Sequence, residues 1–320
     1  MKSVLVTGAL GFVGANLTRR LLADGHTVHA LVHAGQNMWR LDDILDHVRL
    51  HETALSHPRA MDRLIEEVQP EWVFHLAAHG AYPTQQDYRK MVVTNVLGTM
   101  TLVEACVRHG SEALVNSGSS SEYGFKDHPP AEAEAVDPNS HYAVTKAAAT
   151  MYCRHMAIAN DAHILTLRLY SVYGPYEEPT RLWPTLIVHA LAGRLPSLAG
   201  PEIARDFVYV DDVVDAYLKA AAANRLPRGT IFNVGSGKQT TLRNLVKMVR
   251  RELKVEVEPE WGSMPGRSWD TRTWVSDVTS IRQTLEWTPR SSLEDGLRSF
   301  IEWFRGNPRT RAMYERHIDR

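Results

Sequence analysis

The sequence is poor in cysteine, in net charge and in metal-binding patterns. Its two cysteines, Cys106 and Cys153, each lie in a helical pattern, so we expect two isolated helix residues and neither a disulfide nor a metal pair. The 15 histidines include no H-E-x-x-H motif and no Cys/His ligand spacing, and we predict no metal site. With 36 basic and 37 acidic residues the net charge is −1, which argues against a nucleic-acid or membrane-surface partner.

The sequence also lacks an evident segment for secretion or for crossing a membrane. The first strand-like run begins at Lys2, which leaves no room for a signal peptide, and we find no apolar run that approaches a membrane span. We therefore expect a cytoplasmic protein with no membrane partner. Its 320 residues suffice for one large α/β domain and a smaller lobe.

A glycine-rich turn follows the first apolar run. Residues 2–7 have strand character, Gly8-Ala-Leu-Gly11-Phe-Val-Gly14 follows, and residues 15–22 have a helical pattern. Glycines let the chain turn tightly and let backbone N–H groups approach a pyrophosphate, while the helix N-terminus adds a partial positive charge. Strand, turn and helix in this order predict a dinucleotide site.

Apolar runs alternate with helical patterns over the first half of the chain. The predicted strands are 28–32, 48–51, 72–77, 113–117 and 163–169, and the predicted helices are 15–22, 59–68, 91–109 and 141–159. This alternation predicts an α/β fold, a Rossmann-type doubly wound parallel sheet. After Gly174 the pattern changes, and two later helices are predicted near 240–253 and 293–305. We therefore assign residues 1–173 plus 206–237 to a dinucleotide-binding domain and residues 174–205 plus 238–320 to a smaller α/β substrate-binding lobe.

Tyr142 and Lys146 supply the expected chemistry. They stand four residues apart on a predicted helix, so they project from the same face. A lysine ammonium beside a phenol stabilises the phenolate, and we expect the pKa of Tyr142 to fall from about 10 toward neutrality. Ser119 adds a hydroxyl that can hold a substrate oxygen while the tyrosine gives or takes a proton. Such a set suits hydride transfer at a C–OH/C=O carbon.

The order of these motifs resembles the extended short-chain dehydrogenase/reductase family, specifically its nucleotide-sugar epimerases, dehydratases and 4-keto reductases. The resemblance spans nearly the whole chain and rests on these segments, in order: Thr7-Gly8-x-x-Gly11-x-x-Gly14, His75-Leu-Ala-Ala78, Thr94-Asn95, Ser119 before Tyr123-Gly124, Tyr142 with Lys146, Arg168-x-x-x-x-Tyr173-Gly-Pro175, Arg205-Asp206-Phe207 and Asn233-x-Gly235-Ser-Gly237. It implies a nucleoside-diphosphate sugar as substrate and a homodimer formed through helices 91–109 and 141–159.

The resemblance also implies a role for each matching residue. Ser119, Tyr142 and Lys146 would be the catalytic hydroxyl, the acid/base and its partner. The residues that would contact the cofactor are Gly8, Leu10, Gly11, Phe12, Val13, Gly14, His33, Arg40, Leu55, Leu76, Ala77, Ala78, Asn95, Ser117, Tyr142 and Lys146. Those that would contact the substrate are Ser120, Ser121, Ser171, Arg205 and Arg267, of which the two arginines would clamp the diphosphate.

One departure from the family pattern narrows the chemistry. Dehydratases of the family carry acidic residues where this chain has Ser120 and Ser121, so dehydration is disfavoured. Glu122 stands one position later, where certain 4-keto-sugar reductases of the family have a glutamate. On a strand it would face the opposite side, and we expect a structural hydrogen bond from it and no direct catalysis.

A second departure concerns the cofactor. NAD-binding members of the family end the second strand with Asp, whereas this chain has His33 there. The absent carboxylate removes repulsion toward a 2′-phosphate, and His33 or Arg40 could contact one. We therefore favour NADP(H), with NAD(H) as the alternative.

Three functions stay open from the sequence. In the first, a reductase, NADPH delivers hydride to C4 of a nucleotide-linked 4-keto sugar and Tyr142 protonates the oxygen. In the second, a 4-epimerase, retained NAD⁺ oxidises C4 and returns the hydride to the other face. The third is a non-catalytic dinucleotide sensor, against which the intact Ser119, Tyr142 and Lys146 argue. A reductase consumes its cofactor, whereas an epimerase purifies with it.

Overall fold

Short apolar strands form a parallel sheet at the centre of the computed structural model, which describes residues 1–82, 84–264 and 271–318. Within these residues the sheet has seven strands in the order β3-β2-β1-β4-β5-β6-β9. Their bounds are β1 Ser3–Thr7, β2 Thr27–Val32, β3 Val48–Glu52, β4 Trp72–His75, β5 Ala113–Ser119, β6 Ile164–Leu169 and β9 Ile231–Val234. The order reverses between β1 and β4, so a crevice lies beyond the carboxyl ends of these strands.

Helices cover both faces of this sheet. The helix bounds are α1 Phe12–Ala23, α2 Pro58–Val68, α3 Tyr88–Met91, α4 Gly98–His109, α5 His141–Ala159, α6 Leu182–Leu191, α7 Val210–Ala222, α8 Leu242–Leu253, α9 Thr279–Leu285, α10 Leu293–Gly306 and α11 Pro308–Ile318. Helices α1, α7 and α9 pack on one face, and α2, α4 and α5 pack on the other. The predicted doubly wound Rossmann-type fold is confirmed.

The long helix before β5 differs from the prediction in two ways. It begins at Tyr88 instead of residue 91, and Val92–Leu97 forms a π-helical turn between α3 and α4. Among the described residues, Tyr88–His109 is also long and apolar enough, by length and composition, to cross a membrane, so the expectation that no apolar run approaches such a length was wrong. In this fold the helix packs against α2 and α5. A helix that packs on a sheet can meet the same criterion of length and hydropathy, because its buried face is apolar.

A smaller lobe forms around three further strands. They are β7 Ser171–Tyr173, β8 Ala204–Tyr209 and β10 Gln239–Thr241, with β8 in the middle. Helices α6, α8, α10 and α11 enclose a separate apolar core beside this sheet. The lobe is therefore assembled from at least three separate stretches of chain.

The predicted division of the chain differs from this packing at two places. β8 was predicted to belong largely to the dinucleotide-binding domain, but it pairs with β7 and β10 of the smaller lobe. Ile281, Leu285 and Trp287 were assigned to the smaller lobe, but they pack in the core of the large sheet. The chain thus returns to the large sheet once more after α8.

Candidate active site

The glycine-rich turn lies against the end of β4. Gly8 has a φ of +73°, and a Cβ placed on it would lie 2.6 Å from the backbone nitrogen of Ala77. A Cβ on Gly14 would overlap the carbonyl oxygen of Gly8. Gly11 is the N-cap residue of α1 and offers no side chain to cap the first-turn N–H groups. A narrow cradle with a helix N-terminus pointing into it fits the diphosphate of a dinucleotide.

The backbone on the other side of this cradle is held by a buried polar chain. Ala77 N donates to Thr7 Oγ1 over 3.2 Å, and Thr7 Oγ1 contacts His75 Nδ1 at 2.7 Å. His75 Nε2 contacts Thr99 Oγ1 at 2.8 Å. Burial lowers the pKa of His75 to about 3, so the imidazole is neutral and acts as a fixed link between β4 and α4. The predicted contact residues Leu76, Ala77 and Ala78 therefore lie beside the glycine turn.

Ser119, Tyr142 and Lys146 come together where β5 ends and α5 begins. The Ser140 hydroxyl caps α5 by accepting from Ala143 N, which places Tyr142 in the first turn and Lys146 one turn later. Ser119 is the last residue of β5, and its side chain hydrogen-bonds Tyr142. The three predicted catalytic residues thus share one location at the carboxyl edge of the sheet.

The electrostatics of this group differ from the expectation. Burial raises the pKa of Tyr142 to about 12, although the hydrogen bond with Ser119 lowers it in part. Burial also lowers the pKa of Lys146, whose side chain is almost fully enclosed. The expected fall in the pKa of Tyr142 was therefore wrong for the ligand-free protein, because desolvation outweighs the neighbouring charge. At neutral pH the phenol is protonated.

Three predicted cofactor-contact residues use their side chains elsewhere. The buried guanidinium of Arg40 donates to the carbonyls of Tyr176 and Leu10 and pairs with Glu178 at 3.0 Å. The guanidinium thus has three partners within the protein, and a contact between Arg40 and a 2′-phosphate stays a prediction. His33, in contrast, is exposed just after β2.

Asn95 and Ser117 are the other two predicted cofactor-contact residues whose side chains have partners elsewhere in the protein. Asn95 lies in the π-helical turn, accepts from His79 N at 2.8 Å and donates to His79 O at 2.9 Å. The Ser117 hydroxyl contacts the Tyr217 hydroxyl at 2.5 Å. Both side chains are buried and hold neighbouring segments in place, and their contacts with a cofactor stay predictions. Leu55 is likewise a buried core residue.

The residues predicted to contact the substrate differ in their burial and in their hydrogen-bond partners. Ser121 Oγ lies 2.8 Å from Ser119 Oγ, Ser120 is buried and Ser171 lies in β7. Arg205 donates to Ala204 O at 2.7 Å, and its guanidinium lies over the ring of Trp274. Arg267 lies outside the described residues.

Glu122 contradicts one detail of the sequence interpretation. Residues Ser120–Tyr123 form a 3₁₀ turn and not a strand, so the side chain does not alternate to the other face. The carboxylate is fully buried and lies 2.8 Å from Arg168 Nε. The structural hydrogen bond that we expected is present, from Ser119 N to Glu122 Oε1.

Arg181 is a candidate site residue that sequence reasoning did not assign. Its charge lowers the pKa of Tyr142, so it lies near the catalytic phenol. It donates to Ala81 O at 3.3 Å, and its guanidinium lies 5.5 Å from the centre of the Tyr82 ring. It belongs to the proline-rich stretch before α6, for which the sequence offered no rule.

The glycine cradle and the serine–tyrosine–lysine group define a dinucleotide-dependent oxidoreductase of the short-chain dehydrogenase/reductase class. A sequence profile of the NAD dependent epimerase/dehydratase family matches residues 4–235, and the chain belongs to this family. The resemblance to extended short-chain dehydrogenases/reductases is confirmed, and the protein is an enzyme of that class.

Curated relatives align over almost the whole chain. The UDP-glucose 4-epimerase of Mycolicibacterium smegmatis is 33% identical over 322 residues, covering 94% of this chain and 98% of the relative. A dTDP-glucose 4,6-dehydratase of Streptomyces griseus is 30% identical over 314 residues, covering 94% and 93%.

Solved structures match equally well. A UDP-glucose 4-epimerase of Thermotoga maritima with UDP-glucose is 28% identical, covers 95% of this chain and 99% of that chain, and gives a TM-score of 0.86. MoeE5 in complex with UDP-glucose and NAD is 31% identical, with 96% and 99% coverage and a TM-score of 0.83.

Proposed function

We propose that this protein is a 4-epimerase of nucleoside-diphosphate sugars that keeps NAD bound between turnovers. The proposal is supported mainly by one observation: Ser119 and the glycine cradle follow parallel strands of one sheet, at its carboxyl edge, and Tyr142 lies next to Ser119. When bound, the nicotinamide would accept a hydride from C4 and return it. Tyr142 would act in its ionised form, which the positive charges of Lys146 and Arg181 would favour against the effect of burial. It would take the proton of the C4 hydroxyl and give it back, while Ser119 hydrogen-bonds that oxygen.

The residues around Ser119 argue against dehydration. Removal of water needs a carboxylate that takes a proton from the sugar, and Ser120 and Ser121 cannot supply one. Glu122 is the acidic residue next in sequence, but its carboxylate is held by Arg168, Thr150 and a backbone N–H. An oxidation–reduction at C4 needs no such carboxylate.

The choice of epimerase over reductase rests on two supports. The UDP-glucose 4-epimerase relative aligns end to end with this chain at 33% identity. The preference for NADP(H) favoured a reductase and depended partly on Arg40. The guanidinium of Arg40 already bonds to Leu10, Tyr176 and Glu178, which weakens that preference. We therefore propose NAD as the cofactor.

One observation still favours a second candidate, the NADP(H)-dependent 4-keto reductase. Residue 33, just after β2, is an exposed histidine where NAD-binding relatives would have an aspartate. Without a carboxylate there, a 2′-phosphate meets no repulsion. The cofactor that copurifies separates the two candidates.

The test begins with the purified protein. Its nucleotides are released by denaturation and identified by mass spectrometry, and the intact protein is then incubated with UDP-, dTDP-, GDP- and CDP-hexoses. We expect NAD near one per chain and interconversion of two C4 epimers with no net change in cofactor redox state. Stoichiometric oxidation of NADPH by a nucleotide 4-keto sugar, with no copurifying NAD, would replace the epimerase by the reductase.

We further propose a homodimer, which is supported by an apolar surface on two neighbouring helices. The exposed apolar side chains of this surface are Val93, Leu97, Val144, Met151 and Ile158. A pair of helices that leaves so many apolar side chains in water suits a second copy of the chain. Sedimentation of wild type and of Leu97→Glu tests this, because a buried charge should yield monomers. We also propose a cytoplasmic location, in keeping with two buried free thiols.

Arg205 is proposed to bind the substrate diphosphate, together with Arg267. Arg205 is partly buried and lies at the start of β8 in the smaller lobe, where its guanidinium stacks over the ring of Trp274. A lysine at this position should bind more weakly, because it lacks the planar fork of donors.

A further inference from the structure

The acidic side chain closest in sequence to Ser119 is locked inside the protein. Glu122 has no exposed surface. Its Oε1 accepts from Ser119 N at 2.8 Å and from Thr150 Oγ1 at 3.0 Å, and its Oε2 accepts from Arg168 Nε at 2.8 Å. The carboxylate therefore joins the end of β5, helix α5 and strand β6.

Its ion-pair partner is itself immobilised. Arg168 donates from Nη1 to the Tyr123 hydroxyl at 2.8 Å, and that hydroxyl donates to Asn233 Oδ1 at 2.8 Å. Gly118 leaves no room for movement either, since a Cβ there would lie 2.8 Å from Glu122 Oε1. A carboxylate surrounded in this way has one available position.

The first consequence concerns the orientation of Ser119. Glu122 holds the backbone N–H of Ser119, while Ser119 Oγ accepts from Ser121 N at 3.2 Å. This reciprocal capping box fixes both the backbone and the side chain of the serine. The hydroxyl is thereby held where it hydrogen-bonds Tyr142.

The second consequence concerns charge. The carboxylate of Glu122 raises the pKa of Tyr142 and also that of Lys146. Arg181 lowers the pKa of Tyr142 and Tyr82 raises it, and the Tyr217 phenol also lies close enough to interact with Tyr142. Cys153 acts on Lys146 and raises its pKa. The buried carboxylate of Glu122 therefore acts on both members of the acid/base pair.

We propose that Glu122 is a positioning residue for the reaction at C4, which aims the Ser119 hydroxyl at Tyr142 and sets the pH range in which Tyr142 and Lys146 work. It touches neither substrate nor cofactor and acts through those residues. The inference rests on the proposed function, and it gives this glutamate a role other than the sugar deprotonation that acidic neighbours perform in dehydratases.

Glu122→Gln provides the main test because it keeps the length and one acceptor oxygen but removes the charge. We expect kcat to fall by about 10- to 100-fold with KM nearly unchanged, since Ser119 is slightly misplaced. We expect both limbs of the pH–kcat profile to move to lower pH, by on the order of one unit, because the pKa values of Tyr142 and Lys146 both fall. A kcat within twofold of wild type and an unmoved profile in a folded variant would overturn the proposal.

Glu122→Asp separates position from charge. It keeps the negative charge but draws the carboxylate back, so it cannot reach Ser119 N and Arg168 together. We expect a similar loss of kcat with pH limbs close to those of wild type. A shift of the limbs as large as that in the glutamine variant would contradict the assigned role of the charge.

A second pair of variants covers the case in which both Glu122 variants fail to fold, because an unpaired buried Arg168 is costly. Thr150→Val removes one donor to Glu122 Oε1, and Thr18→Val removes another buried hydroxyl that has no partner among the described residues. We expect Thr150→Val to lower kcat by about three- to tenfold and Thr18→Val to leave it unchanged. Equal activities in the two variants would refute the inference.

Failure of the proposed function can be told apart from failure of this inference. If wild type converts no nucleotide sugar, the function is wrong, but crystal structures of the Glu122 variants still report where the Ser119 hydroxyl points. An unchanged Ser119–Tyr142 hydrogen bond in Glu122→Asp would then overturn the positioning role.

Discussion

The two cores of the molecule are built from different kinds of side chain. The large sheet buries mostly valine, leucine and alanine, as with Val6, Val115 and Leu167. The smaller lobe buries aromatic rings, and Tyr173 and Trp183 stack with their centroids 4.1 Å apart. The aliphatic core comes from short continuous runs, whereas the rings come from segments far apart in sequence.

This contrast matters for the proposed site because the residues that we assign to its two halves lie in different cores. The glycine cradle, Ser119 and Tyr142 lie at the edge of the aliphatic sheet, and Arg205 lies in the strand at the centre of the aromatic lobe. Damage to one core should therefore affect cofactor retention, and damage to the other should affect substrate binding. The following substitutions test this separation, from the largest expected effect to the smallest.

Gly14→Ala should abolish cofactor binding, because the added methyl group would overlap the Gly8 carbonyl. We expect purified protein without nucleotide and without activity. Gly200→Ala in the smaller lobe is the matched control, since its methyl group would come no closer than 3.9 Å to Ile203. Nucleotide content is measured by mass spectrometry after denaturation, and a normal content in Gly14→Ala would refute the assignment of the cradle.

Tyr142→Phe should lower kcat by about 10²–10⁴-fold, since positioned proton transfer is worth that much. The cofactor content should stay at the wild-type level because the glycine cradle is untouched. Steady-state kinetics and nucleotide release measure the two quantities. Tyr88→Phe, a change at an exposed ring, serves as the control. Full activity in Tyr142→Phe would end the case for this tyrosine as the acid/base.

Trp183→Ala should destabilise the smaller lobe by about 3–5 kcal/mol, because it removes a buried ring from the stack. We expect a higher KM for the nucleotide sugar with the cofactor still bound. Urea unfolding and nucleotide release measure the two effects. Loss of the cofactor with an unchanged KM would break the proposed separation between the cores.

Glu177→Gln should make stability less dependent on pH. Burial raises the pKa of Glu177 to about 8, above its usual value near 4.5. The folded protein then binds one proton more than the unfolded chain between these values, so wild type loses stability as pH rises through this window, by at most about 1.4 kcal/mol per unit. Urea unfolding at several pH values should show a flatter dependence in the variant.

His29 in the large sheet should change the pH dependence of stability in the opposite direction, which provides a check. Burial lowers its pKa from 6.5 to about 4, so the unfolded chain binds the additional proton and stability falls as pH falls through that window. His29→Gln should reduce the loss on the acid side and leave the alkaline side unchanged. If stability depended on pH in the same way in Glu177→Gln and His29→Gln, the two groups would not contribute independently to the pH dependence.

The sequence was enough to predict the large sheet and the helix that carries Tyr142 and Lys146. Strands such as Trp72–His75 and Ala113–Ser119 are short apolar runs covered on both faces, and their local pattern is visible without tertiary information. Tyr142 and Lys146 were found because helical spacing alone puts them on one face. Helix α5 has the predicted bounds.

The hydrogen-bond partners of the site were beyond sequence reasoning. Arg40 binds carbonyls at Leu10 and Tyr176, and Ser117 contacts Tyr217, so each partner is decided by the packing of distant segments. The raised pKa of Tyr142 also depends on burial, which spacing does not report. The sequence signal for Arg181 was its position between Pro179 and Pro184, in the proline-bearing stretch where α6 begins.

The position of Arg40 has one more consequence. Its guanidinium bonds to Leu10 in the glycine turn and to Tyr176 and Glu178 in the segment that leads to α6 of the smaller lobe. The lobes cannot part at this point without breaking all three bonds and wetting a buried cation. These bonds join the predicted cofactor site to the predicted sugar site. The protein must therefore break them before the lobes can separate widely enough to release either ligand.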